Sequence, residues 1–172
     1  MDLNIAENIM FILNIVYFLL PAYVANLSGL AFGGKRPIDM GKNFSDGNRI
    51  IGDGVTIEGF AYGILFGTLI GAIEGFKNGN ILFYLQLGLL LSLGALVGDA
   101  VGSFIKRRLG LSKGKPAPIL DQLDFFIGAI LFALLMSPVP MNYIIIGAIL
   151  TLILHLTANI IAYRLGIKDV WY

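Results

Sequence analysis

Three aspartates close to a group of basic residues are the side chains in this sequence best suited to chemistry. Asp121 and Asp124 are three residues apart, so they share one face if the segment is helical. Asp99 ends an apolar run, and the segment between Asp99 and Asp121 has no other acid. That segment does hold five basic residues, Lys106, Arg107, Arg108, Lys113 and Lys115. Carboxylates beside Lys and Arg suit Mg²⁺ and phosphate groups, whereas a chain with one His and no Cys does not suit zinc.

The same aspartates also have an ordinary structural explanation. Asp121 stands before an apolar run, where Asp is a common helix N-cap, and for Asp121 alone we favour that role. Ion pairs with Lys106, Arg107 and Arg108 are a second structural explanation for these aspartates. For the cluster as a whole we favour a site, because acids at the edge of a membrane segment usually face a partner or a polar cavity.

The elements that carry these residues must be membrane helices. Of the 172 residues, 57% are hydrophobic and 13% are charged, and the mean hydropathy is +0.83. These are too few charges to cover a soluble domain, which excludes a cytosolic globular protein and a disordered chain. The net charge of +1 gives no reason to expect a nucleic-acid partner. The absence of Cys excludes a disulfide scaffold and a cysteine nucleophile. The length suits one membrane-embedded domain, 1–172.

Charge-free runs predict an all-α, polytopic fold with five transmembrane helices. The runs are 8–34, 59–73, 81–98, about 121–136 and about 141–165, with a turn at 76–80 and a Pro-containing break at 137–140. Pro21 should kink the first helix or loosen its hydrogen bonding. From Asp121 to Pro138 the fourth helix would rise only about 25 Å, so its two aspartates should be drawn below the membrane surface. If the third helix continues past Asp99, Ser103 and Lys106 share its face.

Basic residues predict the orientation, because Lys and Arg favour the cytoplasmic side. Eleven of the twelve fall in the loop after the first span, the loop after the third and the C-terminal tail, and only Lys77 falls on the opposite side. The N-terminus is therefore predicted outside and the C-terminus in the cytoplasm of a multi-pass cell-membrane protein. Glycines of spans two and three, Gly63, Gly67, Gly71, Gly88, Gly94 and Gly98, are expected to let the helices pack closely.

The segment GDAVGSFIKRRLGLSKGKPAPILDQLDF (98–125) resembles the CDP-archaeol synthase family, which is similar to the wider CDP-diacylglycerol synthases. The resemblance extends to PAYVAN (21–26) and to the loop GKNFSDGNRIIGDG (41–54). It implies an integral membrane cytidylyltransferase of archaeal lipid synthesis. Such an enzyme uses CTP, Mg²⁺ and the isoprenoid ether-lipid phosphate 2,3-bis-O-geranylgeranylglycerol 1-phosphate, and it forms the CDP-linked lipid and pyrophosphate.

The wider signature has a Ser, then Lys-Arg, then Asp-Arg-x-Asp. In this sequence Ser103, Lys106, Arg107, Asp121 and Asp124 fill those positions. Gln122 replaces the Arg, and Pro116-Ala117-Pro118 occupies the place of a His-Gly-Gly. These departures fit the archaeal branch rather than a diacylglycerol substrate.

The resemblance implies a role for each group of residues. Catalytic roles fall on Asp99, Lys106, Asp121 and Asp124, and the three aspartates are the metal ligands. Nucleotide binding falls on Lys42, Asn43, Arg49, Asp53, Ser103, Arg107 and Arg108. Lipid binding falls on Pro21, Tyr23 and Asn26, near the kinked first span. A lipid phosphate is largely dianionic at neutral pH and needs no general base, so charge neutralisation and alignment should suffice.

Other functions are compatible with parts of this pattern. A CTP-dependent polyprenol kinase would transfer the γ-phosphoryl group and release CDP. A small ion-coupled transporter would use the carboxylates for an ion, but the sequence shows no inverted repeat. A CDP-alcohol phosphotransferase shares an Asp-x-x-Asp pair, yet Phe125 follows where such enzymes have Gly. A purely structural membrane protein leaves the acid cluster unexplained. His155 is expected to be a hydrogen-bonded packing residue, because no second titrating partner is apparent.

Overall fold

Five α-helices form the regular structure in the computed structural model, which describes residues 2–111, 115, 117–164 and 166. They are α1 (Asp2–Ala31), α2 (Ile57–Asn78), α3 (Ile81–Arg108), α4 (Leu120–Ala133) and α5 (Met141–Arg164). Among these residues, extended pairing is limited to two isolated bridges, Pro37 with Thr56 and Asn43 with Arg49. The predicted all-α, membrane-type fold is confirmed.

Four of the helices are long and apolar enough to cross a membrane, namely Asn4–Ala31, Ile57–Asn78, Ile81–Arg108 and Met141–Ile161. The exception is α4, whose 14 residues rise only about 21 Å against a hydrocarbon core of about 30 Å. Five helices were predicted and five are present in the described residues, but by length only four of them make full spans. The predicted end of the fifth helix at residue 165 lies outside the described residues.

The helix ends follow local sequence signals. Thr56 caps α2, because its hydroxyl accepts the Gly59 amide at 3.1 Å. Gly79 ends α2 with φ +72°, a left-handed conformation that favours glycine. Asn80 then caps α3 by accepting the Phe83 amide at 3.2 Å. The turn predicted at 76–80 is present, but α2 continues through its first three residues.

Small residues bring the helix backbones together where α2 and α4 pack on α3. A methyl group added at Gly71 would lie 2.8 Å from the Cα atom of Gly88. One added at Gly94 would overlap the carbonyl of Gly128 on α4. The close packing predicted for the glycines of spans two and three is therefore confirmed, and it fixes α3 against both neighbours. Around these contacts α1, α3 and α4 supply the apolar core, which includes Ile15, Leu19, Leu91, Ala95, Phe125, Phe126 and Ala129.

Helix α5 packs against α1 and α4 and closes the bundle. Its Tyr143 ring contacts Phe11 and Phe18 edge-on, with centroids 5.5 and 5.9 Å away. Two turns further on, the Thr151 hydroxyl lies 2.8 Å from the Tyr23 hydroxyl of α1. These contacts fix the face that α5 turns toward the other helices.

Candidate active site

A cavity of about 290 Å³ opens at the end of the bundle where α1 and α3 end and α2 and α4 begin. All five helices and the loop before α2 contribute to its wall. The lining residues are Asn26, Gly29, Leu30, Gly54, Val55, Thr56, Gly59, Phe60, Leu96, Asp99, Ser103, Lys106, Arg107, Asp121, Asp124 and His155. The cavity therefore gathers all four predicted catalytic residues, two of the predicted nucleotide ligands and one predicted lipid ligand.

Helix α3 supplies the largest polar share of this wall. Because the helix continues to Arg108, the spacing of Asp99, Ser103 and Lys106 places them along one face. Ser103 is buried, and Asp99 lies two turns deeper than Lys106 along the helix. The face predicted from sequence is thus the one that lines the cavity.

Asp121 is held by the protein through both of its oxygens. Oδ1 accepts from Lys106 Nζ at 2.7 Å, and Oδ2 accepts from the Ala117 amide at 2.9 Å. Asp121 is not the N-cap, because α4 begins at Leu120 and the cap position is Ile119. The ion-pair alternative is therefore correct for Asp121. It also brings Lys106 to the cavity wall as one half of a neutral pair.

Asp124 differs from Asp121, because among the described residues only one of its two carboxylate oxygens has a hydrogen-bond partner. The residue is 8% exposed, and its Oδ1 accepts from the Phe125 amide at 2.6 Å. Its Oδ2 is buried and has no hydrogen-bond partner among the described residues. A methyl group at Gly102 would overlap this carboxyl, so the absence of a side chain at Gly102 makes room for it. An unpartnered carboxylate oxygen in a buried position is a candidate for binding a cation.

These contacts indicate which of the three aspartates could bind Mg²⁺. Within the described part of the chain, no three Asp, Glu or His side chains are arranged to hold a metal ion together. Mg²⁺ rarely uses an all-protein cage, since it is usually held by one or two carboxylates with water and substrate phosphates. Asp124 has an open oxygen and Asp99 lines the same cavity, so two carboxylates fit that pattern. Asp121 is committed to Lys106 and Ala117.

Asp39 organises the first loop, which lies between α1 and α2. Its buried carboxylate accepts the amides of Gly41, Ile51 and Gly52 at 3.1, 2.9 and 2.8 Å. Arg49 adds an ion pair at 2.6 Å. Burial alone would raise the pKa of Asp39, but these hydrogen bonds and the guanidinium outweigh it and hold the pKa well below its usual range. Sequence analysis missed this residue because its donors are mostly backbone amides.

Arg108 fastens the loop to the end of α3. Its guanidinium lies 4.9 Å from the Phe44 ring centroid and 4.8 Å from that of Phe104, and it donates to the Arg49 carbonyl at 2.6 Å. Its Nε also lies 3.1 Å from Asp46 Oδ2, within ion-pair range but outside hydrogen-bond geometry. Arg107 donates to the Ile51 carbonyl at 3.1 Å in the same way. Both arginines thus use their charge to hold the loop.

The other residues predicted for nucleotide binding lie outside the main cavity. Arg49 pairs with Asp53 at 2.8 Å, and both line a second depression of about 290 Å³, which Arg107 shares. Lys42 and Asn43 line neither space, and Asn43 forms a backbone bridge with Arg49. The loop instead reaches the main cavity through Gly54, Val55 and Thr56.

Of the three residues predicted for lipid binding, Asn26 lines the cavity. Pro21 is fully buried, which leaves it no surface for a lipid tail. The Tyr23 ring packs on Phe125 with centroids 5.9 Å apart, and its hydroxyl is bonded to Thr151. The apolar surface next to the cavity lies elsewhere, in a groove of about 520 Å³ along α4 that Asp124 also lines. The other residues of the groove are Leu109, Ala117, Pro118, Ile119, Leu120, Leu123 and Ile127.

Comparisons with known proteins place the fold and the cavity in a family. The model of the CarS-like CDP-archaeol synthases matches residues 8–172. This chain belongs to the CDP-archaeol synthase family. A relative from Methanothermobacter thermautotrophicus, named CDP-archaeol synthase, is 56% identical over 96% of both chains. One with the same name from Methanocaldococcus jannaschii is 54% identical over 91% of this chain and 95% of its own length.

The fold has a solved counterpart of the same kind. A structure described as an intramembrane enzyme for archaeal membrane lipids biosynthesis superposes with a TM-score of 0.81. It is 43% identical and covers 87% of this chain and 94% of its own. The predicted family is confirmed, and with it the prediction of a multi-pass, membrane-embedded enzyme of this synthase family.

Proposed function

We propose that this enzyme transfers CMP from CTP to 2,3-bis-O-geranylgeranylglycerol 1-phosphate. A lipid phosphate oxygen attacks the α-phosphorus of CTP, the bond from that phosphorus to the β-phosphate oxygen breaks, and pyrophosphate leaves. The observation that carries the proposal is the cavity that joins Asp99 and Asp124 to Lys106 and Arg107 in a chain of the CDP-archaeol synthase family. The cavity adjoins an apolar groove, as a reaction between a soluble nucleotide and a membrane lipid requires.

No general base is needed in this reaction. The second pKa of a phosphate monoester is about 6, so the attacking oxygen is already ionised at neutral pH. The barrier comes from bringing two anions together in line, and positioning with charge stabilisation is what lowers it. A cavity rich in fixed charges, with no Cys in the chain, is suited to that task.

We assign the Mg²⁺ ligands to Asp99 and Asp124. When bound, Mg²⁺ supplies charge neutralisation on the phosphates and on the leaving oxygen. The open Oδ2 of Asp124 and the position of Asp99 on the same wall support this assignment. Asp121 acts through Lys106, because their 2.7 Å ion pair fixes the ammonium where pyrophosphate develops charge. Arg107 and Ser103 line the adjacent wall and complete the phosphate contacts.

The isoprenoid chain would lie in the groove along α4. That groove is almost wholly apolar and shares Asp124 with the cavity, so a lipid whose phosphate is near Asp124 can place its first isoprene units there. This assignment moves the tail from the first span, where Pro21 and Tyr23 had suggested it, to the seam between α3 and α4.

The test is to locate the labelled phosphorus after reaction with Mg²⁺ and the ether-lipid phosphate. CTP labelled at the α-phosphate should label the lipid, and CTP labelled at the γ-phosphate should yield labelled pyrophosphate. Other nucleoside triphosphates and a panel of phospholipid acceptors serve as controls. A γ-labelled lipid would instead indicate a kinase, and ion flux without nucleotide would indicate a transporter.

We also propose that the N-terminus lies outside and the C-terminus in the cytoplasm, which places the cavity at the cytoplasmic surface. The natural chain has no Cys, so single cysteines can be labelled without background. A cysteine at position 113, outside the described residues, should react only from the cytoplasmic face. One in place of Asn78 should react only from outside, and the reverse pattern would overturn the orientation.

A further inference from the structure

His155 lies at the site, although sequence analysis assigned it to packing. Among the described residues of α5, it is the only one that lines the cavity. Between Tyr143 and Tyr163 it is also the only titratable side chain of this helix. The helix carries a single polar stripe, Thr151, His155 and Asn159, spaced by one turn each. Thr151 holds the Tyr23 hydroxyl of α1 at 2.8 Å, and this contact sets the rotation that turns His155 toward the cavity.

The position of His155 along its helix matches that of Asp99. Nine residues separate His155 from Arg164 at the end of α5, and nine separate Asp99 from Arg108 at the end of α3. Both side chains therefore lie about 13 Å from the charged end of their helix. Lys106 and Arg107 lie within two residues of that end. We call the part of the cavity next to His155 and Asp99 its deep end, and the part next to the two basic residues its mouth.

Helix α5 presents exposed apolar side chains on both sides of His155. The residues before and after His155 on α5 face outward, with Ile153 55%, Leu154 47% and Leu156 38% exposed. Helix α5 packs only on α1 and α4 among the described helices, so its outer surface lies against the bilayer. Asp124 lines both the cavity and the apolar groove along α4, so a lipid whose chain lies in the groove can place its phosphate in the cavity, whereas a soluble nucleotide would enter at the mouth.

A phosphate at the deep end needs a donor. Asp99 is an acceptor that we assign to Mg²⁺, and Lys106 is already paired with Asp121 at the mouth. An imidazole can donate in its neutral and protonated forms. An imidazole has two ring nitrogens, so it can contact the protein and a ligand at the same time.

We infer that His155 binds the phosphate monoester of the acceptor lipid and positions its attacking oxygen. The inference rests on the proposed function and deepens it, because it divides the cavity between two phosphates. CTP occupies the basic mouth, and the lipid phosphate occupies the deep end beside α5. His155 contributes binding and alignment and takes no proton in the reaction.

The experiment compares His155→Leu, His155→Gln and Thr157→Ala in the full chain in detergent. Thr157 is the matched control, because it is exposed on α5 and its hydroxyl donates to the Ile153 carbonyl of its own helix at 2.7 Å. In His155→Leu, we expect the KM for the lipid phosphate to rise about tenfold or more. CTP binding with Mg²⁺ but no lipid, measured by calorimetry, should change less than twofold. His155→Gln should restore much of the lipid KM, and Thr157→Ala should behave as the natural protein.

Each alternative result has a defined meaning. If His155→Leu weakened CTP binding by the same factor as it raised the lipid KM, His155 would belong to the nucleotide site and the inference would be overturned. An unchanged lipid KM in a folded His155→Leu would return it to packing. If His155→Leu does not fold, His155→Phe and His155→Met, which also lack a donor, replace it, and an unaltered lipid KM in both folded variants would overturn the inference. Absence of CMP transfer by the natural protein would contradict the proposed function itself.

Discussion

The first loop and the cavity both contain a buried aspartate, but the two carboxylates differ in how many of their hydrogen-bond partners the protein supplies. In the loop, the Asp39 carboxylate receives three backbone amides and the Arg49 guanidinium. In the cavity, the buried Asp124 has one carboxylate oxygen without a partner in the described structure. Charges with all their partners in place stabilise a conformation, whereas a buried charge without one is costly until a ligand supplies it. The comparison assigns a structural role to Asp39 and a binding role to Asp124.

The sharpest test of this comparison is Asp124→Asn, with Asp99→Asn beside it. Asn keeps the shape and can still accept the Phe125 amide, but it removes the charge that would bind Mg²⁺. Turnover per folded molecule should fall about 10²- to 10³-fold across a Mg²⁺ titration, while the thermal midpoint changes little. Asp46→Asn, an exposed acid of the loop, is the control and should remain near-normal. Near-normal turnover of Asp124→Asn at limiting Mg²⁺ would remove Asp124 from the site.

Gly102→Ala tests the position of Asp124 without changing any charge. The added methyl overlaps the Asp124 carboxyl, which must move aside. We expect turnover to fall roughly ten- to a hundredfold, as for small misplacements of catalytic groups. The control is the double variant with Asp124→Asn, measured in the same assay. If Gly102 acts through Asp124, the double variant should be no slower than Asp124→Asn alone, and additive losses would contradict this.

Asp39→Asn should mainly affect the loop. It leaves Arg49 without its buried partner and weakens the hydrogen bonds from Ile51 and Gly52. A loss of about 1–2 kcal/mol would make local opening roughly tenfold more frequent. Limited proteolysis between residues 37 and 53 should quicken accordingly, while the global thermal midpoint moves little. Ser45→Ala, at an exposed position of the same loop, is the control and should show neither change, and equal proteolysis of both variants would mean that Asp39 does not organise the loop.

The smallest expected effect is that of pH on the loop. The pKa of Asp39 is lowered, so its stabilising contribution is complete above the unfolded pKa of about 3.9. The contribution is lost only as pH falls through the still lower folded pKa. Hydrogen exchange of the Ile51 and Gly52 amides, corrected for intrinsic rates, should therefore show constant protection from pH 7 to about pH 4. A loss of protection near pH 6 would show that another group controls the loop.

The positions of the helices could be predicted from the sequence, because a segment that crosses the bilayer must be long and nearly free of charge. Charge-free runs marked all five, and the glycine spacing of spans two and three indicated their close packing. The length of α3 was left open, and its continuation to Arg108 is what places Ser103 and Lys106 beside Asp99. Helix ends near the membrane surface are harder to predict, because charged residues there can belong to the helix or to the loop.

The cavity residues that could be predicted best are those that lie within one sequence motif. Asp99, Lys106, Asp121 and Asp124 lie close together in sequence and meet in the cavity. The partners of Arg108 do not, since Phe44 comes from a distant loop and no local pattern pairs the two. His155 was also missed as a cavity residue, because its position depends on how α5 packs against α1. Side chains assembled from separate helices leave no spacing signal in a single sequence.

The short length of helix α4 would favour a locally thinned bilayer beside it. It is about 9 Å shorter than an average hydrocarbon core, whereas α3, beside it, has 28 residues. Lipids next to α4 must relieve this hydrophobic mismatch, at fractions of a kcal/mol per Å, by shortening their chains. Their headgroups then lie nearer the bilayer centre, at the level of the groove and of Asp124. A thinned leaflet would bring the headgroup of an acceptor lipid toward the level of Asp124, and a thicker membrane would hold it farther away.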